Sequence, residues 1–376
     1  MAVRKSSEET ALREEAARLD EEREAQKQHR IKAAHLLKMH QPVVYRILDQ
    51  AVRSGDISHA YLFQGPKGCL KSEAAMLFSQ SIFLNRGGLV DEAELDGQDA
   101  VDAERIAGRN YGDFLFVNGY RKEAISRDET TAIQSLFSRT TIEKSDRKVY
   151  VLDHAENSSI GAMNSLLKFL EEPADNVYAI LTTDNPERLL PTIISRCVVI
   201  PFRPLAPEVY AQLMAEDGLD EEDIFLLSRI VDATSGFADQ AAGRTYQTAK
   251  QMLKQAVGAE GNPDLLLVDY EVRYRLKQKD LGTEDKGTAA RDANLDVLLM
   301  FFGMLGAFYK DVIRGNTAGP AWYSDAVKNA MRHTDADYPE MAAVCIEQRD
   351  LCNRNNDLNL LMAQAVYRLE AAKHGQ

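Results

Sequence analysis

The sequence predicts an α/β protein with a parallel sheet flanked by helices, followed by helical regions. Residues 65–72 (GPKGCLKS) keep the frame of a phosphate-binding loop, with an apolar strand pattern before them and a helical pattern after them. Strand, glycine-bearing loop and helix in this order are the setting that a P-loop requires. Residues 148–153 (KVYVLD) predict a second buried strand that ends in an aspartate. The apolar spacing of residues 295–308 and 342–371 predicts a helical C-terminal region.

The phosphate loop is altered where its geometry is most demanding. Gly65, Gly68, Lys71 and Ser72 fit the loop, but Leu70 stands where the last glycine of G-x-x-x-x-G-K-[ST] belongs. That glycine lets the backbone pass close to the phosphates and turn into the helix. A branched side chain there should crowd a nucleotide. The alternative is a Gly-Pro turn that happens to precede a Lys-Ser pair.

The second P-loop element is altered as well. Asp153 ends its strand at the position of a magnesium-holding aspartate, but the next residue is His154 and not the usual glutamate. A neutral imidazole can accept a proton, yet it lacks the charge and reach of a carboxylate. Both alterations predict a loss of ATP hydrolysis. The alternative for Asp153 is an ordinary strand-terminal aspartate that caps the next helix.

Three later segments carry a family resemblance. Residues 164–173 (NSLLKFLEEP), the strand pattern 178–184 (YAILTTD) and residues 190–197 (LPTIISRC) resemble, in order and spacing, three blocks of the clamp-loader AAA+ family. The resemblance implies an α/β P-loop AAA+ core, a small helical lid and an α-helical collar. It also implies that Thr183, on the sensor 1 strand, belongs to the degenerate nucleotide site with the loop residues and Asp153.

The predicted domain boundaries follow from this resemblance and from changes in composition. A charged helical extension, 1–40, precedes the P-loop domain, 41–203. A helical lid is expected over 204–262 and the helical collar, where clamp-loader subunits oligomerise, over 263–376.

Within the family, the sequence resembles the delta-prime branch of bacterial DNA polymerase III more than the ATP-hydrolysing gamma/tau branch. The two altered motifs favour delta-prime, as do the C-terminal residues 349–360. Asp239 stands where an ATP-binding subunit would carry arginine, and it would repel a triphosphate. The resemblance implies gamma/tau and delta subunits as partners, with the sliding clamp and primed DNA contacted through the complex.

Arg196 of the Ser-Arg-Cys segment is the candidate catalytic residue. The resemblance implies that it reaches in trans into the ATP site of a neighbouring subunit as an arginine finger. Such residues contribute on the order of 10³–10⁵ in rate. Because guanidinium geometry matters, Arg196→Lys should be nearly as harmful as Arg196→Ala. The alternative is that Arg196 pairs with a local carboxylate.

The sequence predicts no zinc and no required cofactor, although weak binding of ATP and magnesium stays open. Many relatives carry a four-cysteine zinc module, but residues 85–110 hold no cysteine here. The four cysteines of the chain lack the spacing of zinc ligands, and the histidines form no ligand pattern.

Net charge and hydropathy argue against an autonomous DNA-binding protein and against a membrane-spanning protein. A net charge of −13 argues against tight autonomous binding to DNA, where phosphate neutralisation dominates affinity. No stretch approaches the roughly 20 apolar residues of a membrane span, and the few cysteines fit a reducing compartment, so we expect a cytoplasmic protein.

Three functions remain open at this point. The preferred one is a clamp-loader subunit without intrinsic ATPase, a non-catalytic part of the polymerase III holoenzyme that helps load the clamp. The second is an active ATPase of the gamma/tau type, and the third is an AAA+-derived interaction protein outside replication.

Overall fold

The structure is a computed structural model of the 376-residue chain. The chain divides into two compact units, Met1–Leu205 and Ala206–Gln376. The described residues are 34–119, 140–172, 174–230, 237–258, 270, 274–277, 288–333, 335–352 and 356–373. Most of the predicted charged extension and residues 234–236, just before Asp239, lie outside them.

The first unit is built on a parallel five-stranded sheet with the strand order β2-β3-β4-β1-β5. Every pairing between its strands is parallel. The strands are β1 Ala60–Gln64, β2 Phe114–Asn118, β3 Lys148–Asp153, β4 Val177–Thr183 and β5 Val198–Pro201. The continuous burial of β1, β3 and β4 is typical of parallel sheets, which are covered on both faces.

Helices follow β1, β3 and β4 in the described part of the chain, and residues 34–40 are also helical. Ala60, Leu152, Leu166 and Ile193 belong to one buried cluster, which joins the sheet to the helices after β3 and β4. The predicted P-loop core, a parallel sheet flanked by helices, is confirmed. The helices are α1 Pro42–Ser54, α2 Lys71–Leu84, α3 Gly97–Ala107, α4 Ile160–Glu171 and α5 Pro191–Ile194, with 3-10 turns at Glu92–Glu94, Ala155–Asn157 and Pro186–Arg188.

Strand register brings the ends of β1, β3 and β4 together. Gln64, the last residue of β1, lies beside Thr183, and Leu152 of β3 lies beside Leu181. Since all strands run in one direction, the loops that follow Gln64, Asp153 and Thr183 share the carboxyl edge of the sheet. The predicted nucleotide-site residues lie on these loops and strand ends.

The second unit is helical, as predicted. Its longest helix, α10 with 27 residues, packs mainly against α12 and α9. A buried polar cluster joins α7 to α9, where Asp223 accepts hydrogen bonds from the Tyr246 hydroxyl and the Lys250 ammonium at 2.6 Å each. The helices are α6 Pro207–Glu216, α7 Glu221–Leu227, α8 Phe237–Ala242, α9 Arg244–Val257, α10 Thr288–Arg314, α11 Ala321–Ala330, α12 Tyr338–Leu351 and α13 Leu358–Lys373.

The predicted lid and collar both fall within this second unit, and the division between them at residue 262 stays a prediction. None of the helices in the described part of the chain is long and apolar enough to cross a membrane.

Candidate functional site

The altered phosphate loop follows β1 and leads into α2. Gly65 is required by packing, because a Cβ there would lie 2.6 Å from the Phe202 carbonyl oxygen. Gly68 has φ 69°. Leu70 keeps the left-handed backbone, with φ 74° and ψ 22°, and its side chain is only 1% exposed. The loop therefore retains a turn suited to glycine while burying a leucine at that position.

Lys71 is engaged inside the protein. Its ammonium donates to the carbonyl oxygens of Gly65 at 2.9 Å and Pro66 at 2.6 Å, and it lies 2.7 Å from Asp184 Oδ1. The residue is 5% exposed. The cation that a P-loop offers to phosphates is thus neutralised by a carboxylate of the same chain.

Ser72 and Asp153 also bond to each other. Ser72 Oγ donates to Asp153 Oδ1 at 2.6 Å, and Thr182 Oγ1 donates to the same oxygen at 2.6 Å. The His154 amide donates in turn to Thr182 Oγ1 at 3.0 Å. The hydroxyl and carboxylate that would hold magnesium beside a nucleotide are therefore part of an internal network.

His154 lies among three carboxylates. Its Nδ1 is 3.3 Å from Asp184 Oδ2 and 3.7 Å from Glu156 Oε1, and its Nε2 is 3.9 Å from Asp153 Oδ2. Burial disfavours the charged imidazolium, but the carboxylates of Asp184 and Glu156 outweigh it and raise the pKa of His154 to about 10. Burial also opposes ionisation of Asp184 and Glu156, yet their polar neighbours hold the pKa of each below its usual value.

The structure brings most of the predicted nucleotide-site residues together at the carboxyl edge of the sheet. Thr183 contacts the loop through its backbone: its carbonyl oxygen accepts the Gly65 amide at 3.2 Å, while its hydroxyl accepts the Asn185 amide at 3.1 Å. The neighbouring Thr182, and not Thr183, bonds to Asp153. Asp184 and Glu156 were missed by sequence analysis. Asp184 is the last residue of the strand pattern 178–184, and that position was the available signal.

Arg196 lies at the opposite edge of the sheet. It comes two residues before β5, whose first residue, Val198, is in register with Tyr61 near the start of β1. Its guanidinium is 2.8 Å from Glu171 Oε1 and donates to the Thr192 carbonyl oxygen at 2.8 Å. Its side chain is about one-third exposed, at 34%. The local ion pair that sequence analysis left as an alternative is therefore present in this chain.

The four cysteines are free thiols, with Cys69, Cys345 and Cys352 buried. Among the described residues, one group of side chains has the spacing to hold a metal ion: His154, Glu156 and Asp184. It contains no cysteine. The predicted absence of a cysteine zinc module stays a prediction.

A parallel sheet with an altered P-loop after β1 and an arginine segment before β5 resembles the P-loop core of AAA+ proteins. Residues 40–206 match the family model described as DNA polymerase III, delta subunit. The resemblance to delta-prime clamp-loader subunits is confirmed over this part of the chain.

Individual relatives agree with that match. The chain is 40% identical over 184 residues to DNA polymerase III subunit delta' of Bacillus subtilis, covering 49% of this chain and 52% of that protein. It is 28% identical over 216 residues to subunit delta' of Pseudomonas aeruginosa, with 54% and 63% covered. It is 27% identical over 226 residues to subunit tau of Bacillus subtilis, with 60% and 38% covered. Each alignment spans less than two thirds of the relative's own length.

Proposed function

We propose that this protein is a clamp-loader subunit of the delta-prime type, which helps load the sliding clamp onto primed DNA without hydrolysing ATP itself. Its proposed partners are the gamma/tau and delta subunits, and it contacts clamp and DNA through their complex. The match of residues 40–206 to the delta subunit family and the similarity to two delta' subunits support this function.

The observation that carries the proposal is the separation of two sites across the sheet. The altered loop lies at the carboxyl edge and Arg196 at the amino edge, and five-residue β1 spans about 15 Å between them. Arg196 is therefore too far away to serve the loop of its own chain. An exposed arginine on the far edge suits a role at a neighbouring subunit's nucleotide.

The proposed chemistry is stabilisation of charge on a γ-phosphate by Arg196 in trans. The guanidinium would complement negative charge that develops on the transferred phosphoryl group. It must first leave Glu171, and that exchange is easy, because the carboxylate is 49% exposed and exposed ion pairs are weak. Glu171 thus holds the arginine in place until a stronger anion is offered.

The chain's own loop is proposed to hold no nucleotide. Lys71 would have to release Asp184, and Leu70 would have to leave its buried position, before phosphates could approach. Either step breaks a buried interaction.

The test is ATPase turnover in a reconstituted mixture of gamma/tau, delta and this chain, with clamp and primed DNA. We expect Arg196→Ala and Arg196→Lys each to lower turnover on the order of tenfold or more, while gel filtration shows intact complexes. Arg188→Ala is the matched control, because Arg188 is exposed on the Pro186–Arg188 turn after β4. It should leave turnover unchanged.

Other outcomes identify the alternatives. ATP hydrolysis by the isolated chain would support a gamma/tau-type ATPase. Failure to associate with gamma/tau and delta would support an interaction protein outside replication. Normal turnover with Arg196→Ala in an intact complex would remove the arginine-finger role.

A further inference from the structure

His154, Glu156 and Asp184 bring one imidazole and two carboxylates together where β3 and β4 end. One ligand atom from each lies within 4.8 Å of the other two. The side chains are 15%, 6% and 13% exposed, respectively, so they are largely shielded from water. Imidazole and carboxylate are ligands that zinc and manganese accept.

The spacing of these atoms also fits a shared metal ion. His154 Nδ1 lies 3.3 Å from Asp184 Oδ2 and 3.7 Å from Glu156 Oε1. Bonds of ~2.0–2.2 Å to a tetrahedral zinc separate two ligand atoms by about 3.4 Å. We propose that His154, Glu156 and Asp184 form a binding site for one divalent first-row transition ion, with Zn²⁺ as the preferred ion.

A second observation points to a ligand at this place. The Glu156 side chain is 6% exposed, and its Oε2 is buried without a hydrogen-bond partner. A buried carboxylate oxygen without a donor is costly, and a metal ion satisfies it. The other oxygen, Oε1, accepts the Asp184 amide at 3.0 Å, which fixes the carboxylate beside the aspartate.

Neighbouring groups orient the ligands. Lys71 holds Asp184 Oδ1 at 2.7 Å and leaves Oδ2 directed to the imidazole. Asp153 Oδ2 lies 3.9 Å from Nε2, on the side of the ring away from the proposed ion. A carboxylate behind the imidazole is the usual outer partner of a metal-bound histidine.

The charges also balance. Asp153, Glu156 and Asp184 carry three negative charges, which a divalent ion and the Lys71 ammonium neutralise. The ion takes the place of the proton on the imidazole, because a coordinating histidine must be neutral. Three protein ligands leave one tetrahedral position for water. Bound there, the ion ties the end of β3 to the end of β4 and stabilises the first unit.

The test uses the full-length chain, treated with chelator and titrated with Co²⁺ as a visible probe. We expect saturable d–d absorption with one Co²⁺ per chain, displaced by Zn²⁺, and a Tm that rises when Zn²⁺ is added. His154→Gln and Glu156→Gln should each weaken metal affinity by at least tenfold and abolish the rise in Tm. His333→Gln is the control, because His333 is an exposed histidine in the second unit.

Three results would overturn the site. They are no saturable Co²⁺ binding by the wild type, a Co²⁺ affinity in both variants equal to that of the wild type, or a thiolate-to-cobalt charge-transfer band that Cys69→Ser removes. If the variants do not fold by far-UV circular dichroism, X-ray absorption of the zinc-loaded wild type decides. It should show nitrogen and oxygen ligands and no sulfur. These measurements need neither ATP nor partner subunits, so their outcome does not depend on the clamp-loader proposal.

Discussion

Leu70 provides a sharp test of how the altered loop is stabilised. Its side chain is 1% exposed, so removing it should cost about 2–5 kcal/mol in the free energy of unfolding. Its backbone has φ 74°, where a residue with a Cβ is strained by about 1–2 kcal/mol and glycine is not. Leu70→Ala loses the burial and keeps the strain, whereas Leu70→Gly loses the burial and relieves it.

The glycine variant should therefore be more stable than the alanine variant, which is the reverse of the order at most positions. Glycine also increases the conformational entropy of the unfolded chain, which offsets the relief by about 0.4–1 kcal/mol. We expect Leu70→Gly to be more stable than Leu70→Ala by up to about 1.6 kcal/mol, with both less stable than the wild type. Urea denaturation followed by far-UV circular dichroism measures both differences.

Leu62 is the matched control for this order. It is fully buried in β1, and it is not among the described residues with positive φ. Leu62→Gly should therefore be less stable than Leu62→Ala, because glycine in a strand interior is destabilising. If Leu70→Ala were more stable than Leu70→Gly, the left-handed backbone at Leu70 would not strain a residue with a Cβ.

Three further substitutions test individual contacts by urea denaturation. Lys71→Ala should lower the free energy of unfolding by about 3–5 kcal/mol, because Asp184 and the carbonyl oxygens of Gly65 and Pro66 lose the buried ammonium that pairs with them. Gly65→Ala should cost about 1–3 kcal/mol, because its Cβ would meet the Phe202 carbonyl oxygen at 2.6 Å. Tyr246→Phe should cost about 1–3 kcal/mol, because Asp223 loses a buried hydrogen bond of 2.6 Å.

Two of these substitutions have a matched control. Lys144→Ala, at an exposed lysine, should cost less than about 0.5 kcal/mol. Gly55→Asn should be tolerated better than Gly65→Ala, because no atom lies within 4 Å of its Cβ position and asparagine adopts the left-handed φ of 72° more readily than most residues. Unchanged stability in Lys71→Ala would mean that water replaces the lysine beside Asp184. Unchanged stability in Tyr246→Phe would mean that Lys250 alone satisfies Asp223.

Sequence alone predicted the parts of the fold that follow from local pattern. The apolar runs around Leu62 and Val151 predicted buried parallel strands, and Gly65 through Ser72 predicted the loop that leads from β1 into α2. The left-handed backbone at Leu70 also follows, because the motif demands glycine there.

The contacts of Lys71 and Arg196 could not be predicted in the same way. The partner of Lys71, Asp184, is distant in sequence and comes near only through the pairing of β1 with β4. The pairing of Arg196 with Glu171 depends on where α4 ends relative to β5. A motif states which residue types are present, but the register of strands and the ends of helices decide which of them touch.

The pairing of Lys71 with Asp184 has a consequence for nucleotide binding at this loop. Asp184 is a competitor for phosphate that is carried in the same molecule, so it cannot be diluted away or dialysed out. Added salt would do little to weaken it, because buried pairs are poorly screened. An incoming triphosphate would have to displace the Asp184 carboxylate from Lys71. Replacing Leu70 with glycine alone would leave that ion pair in place.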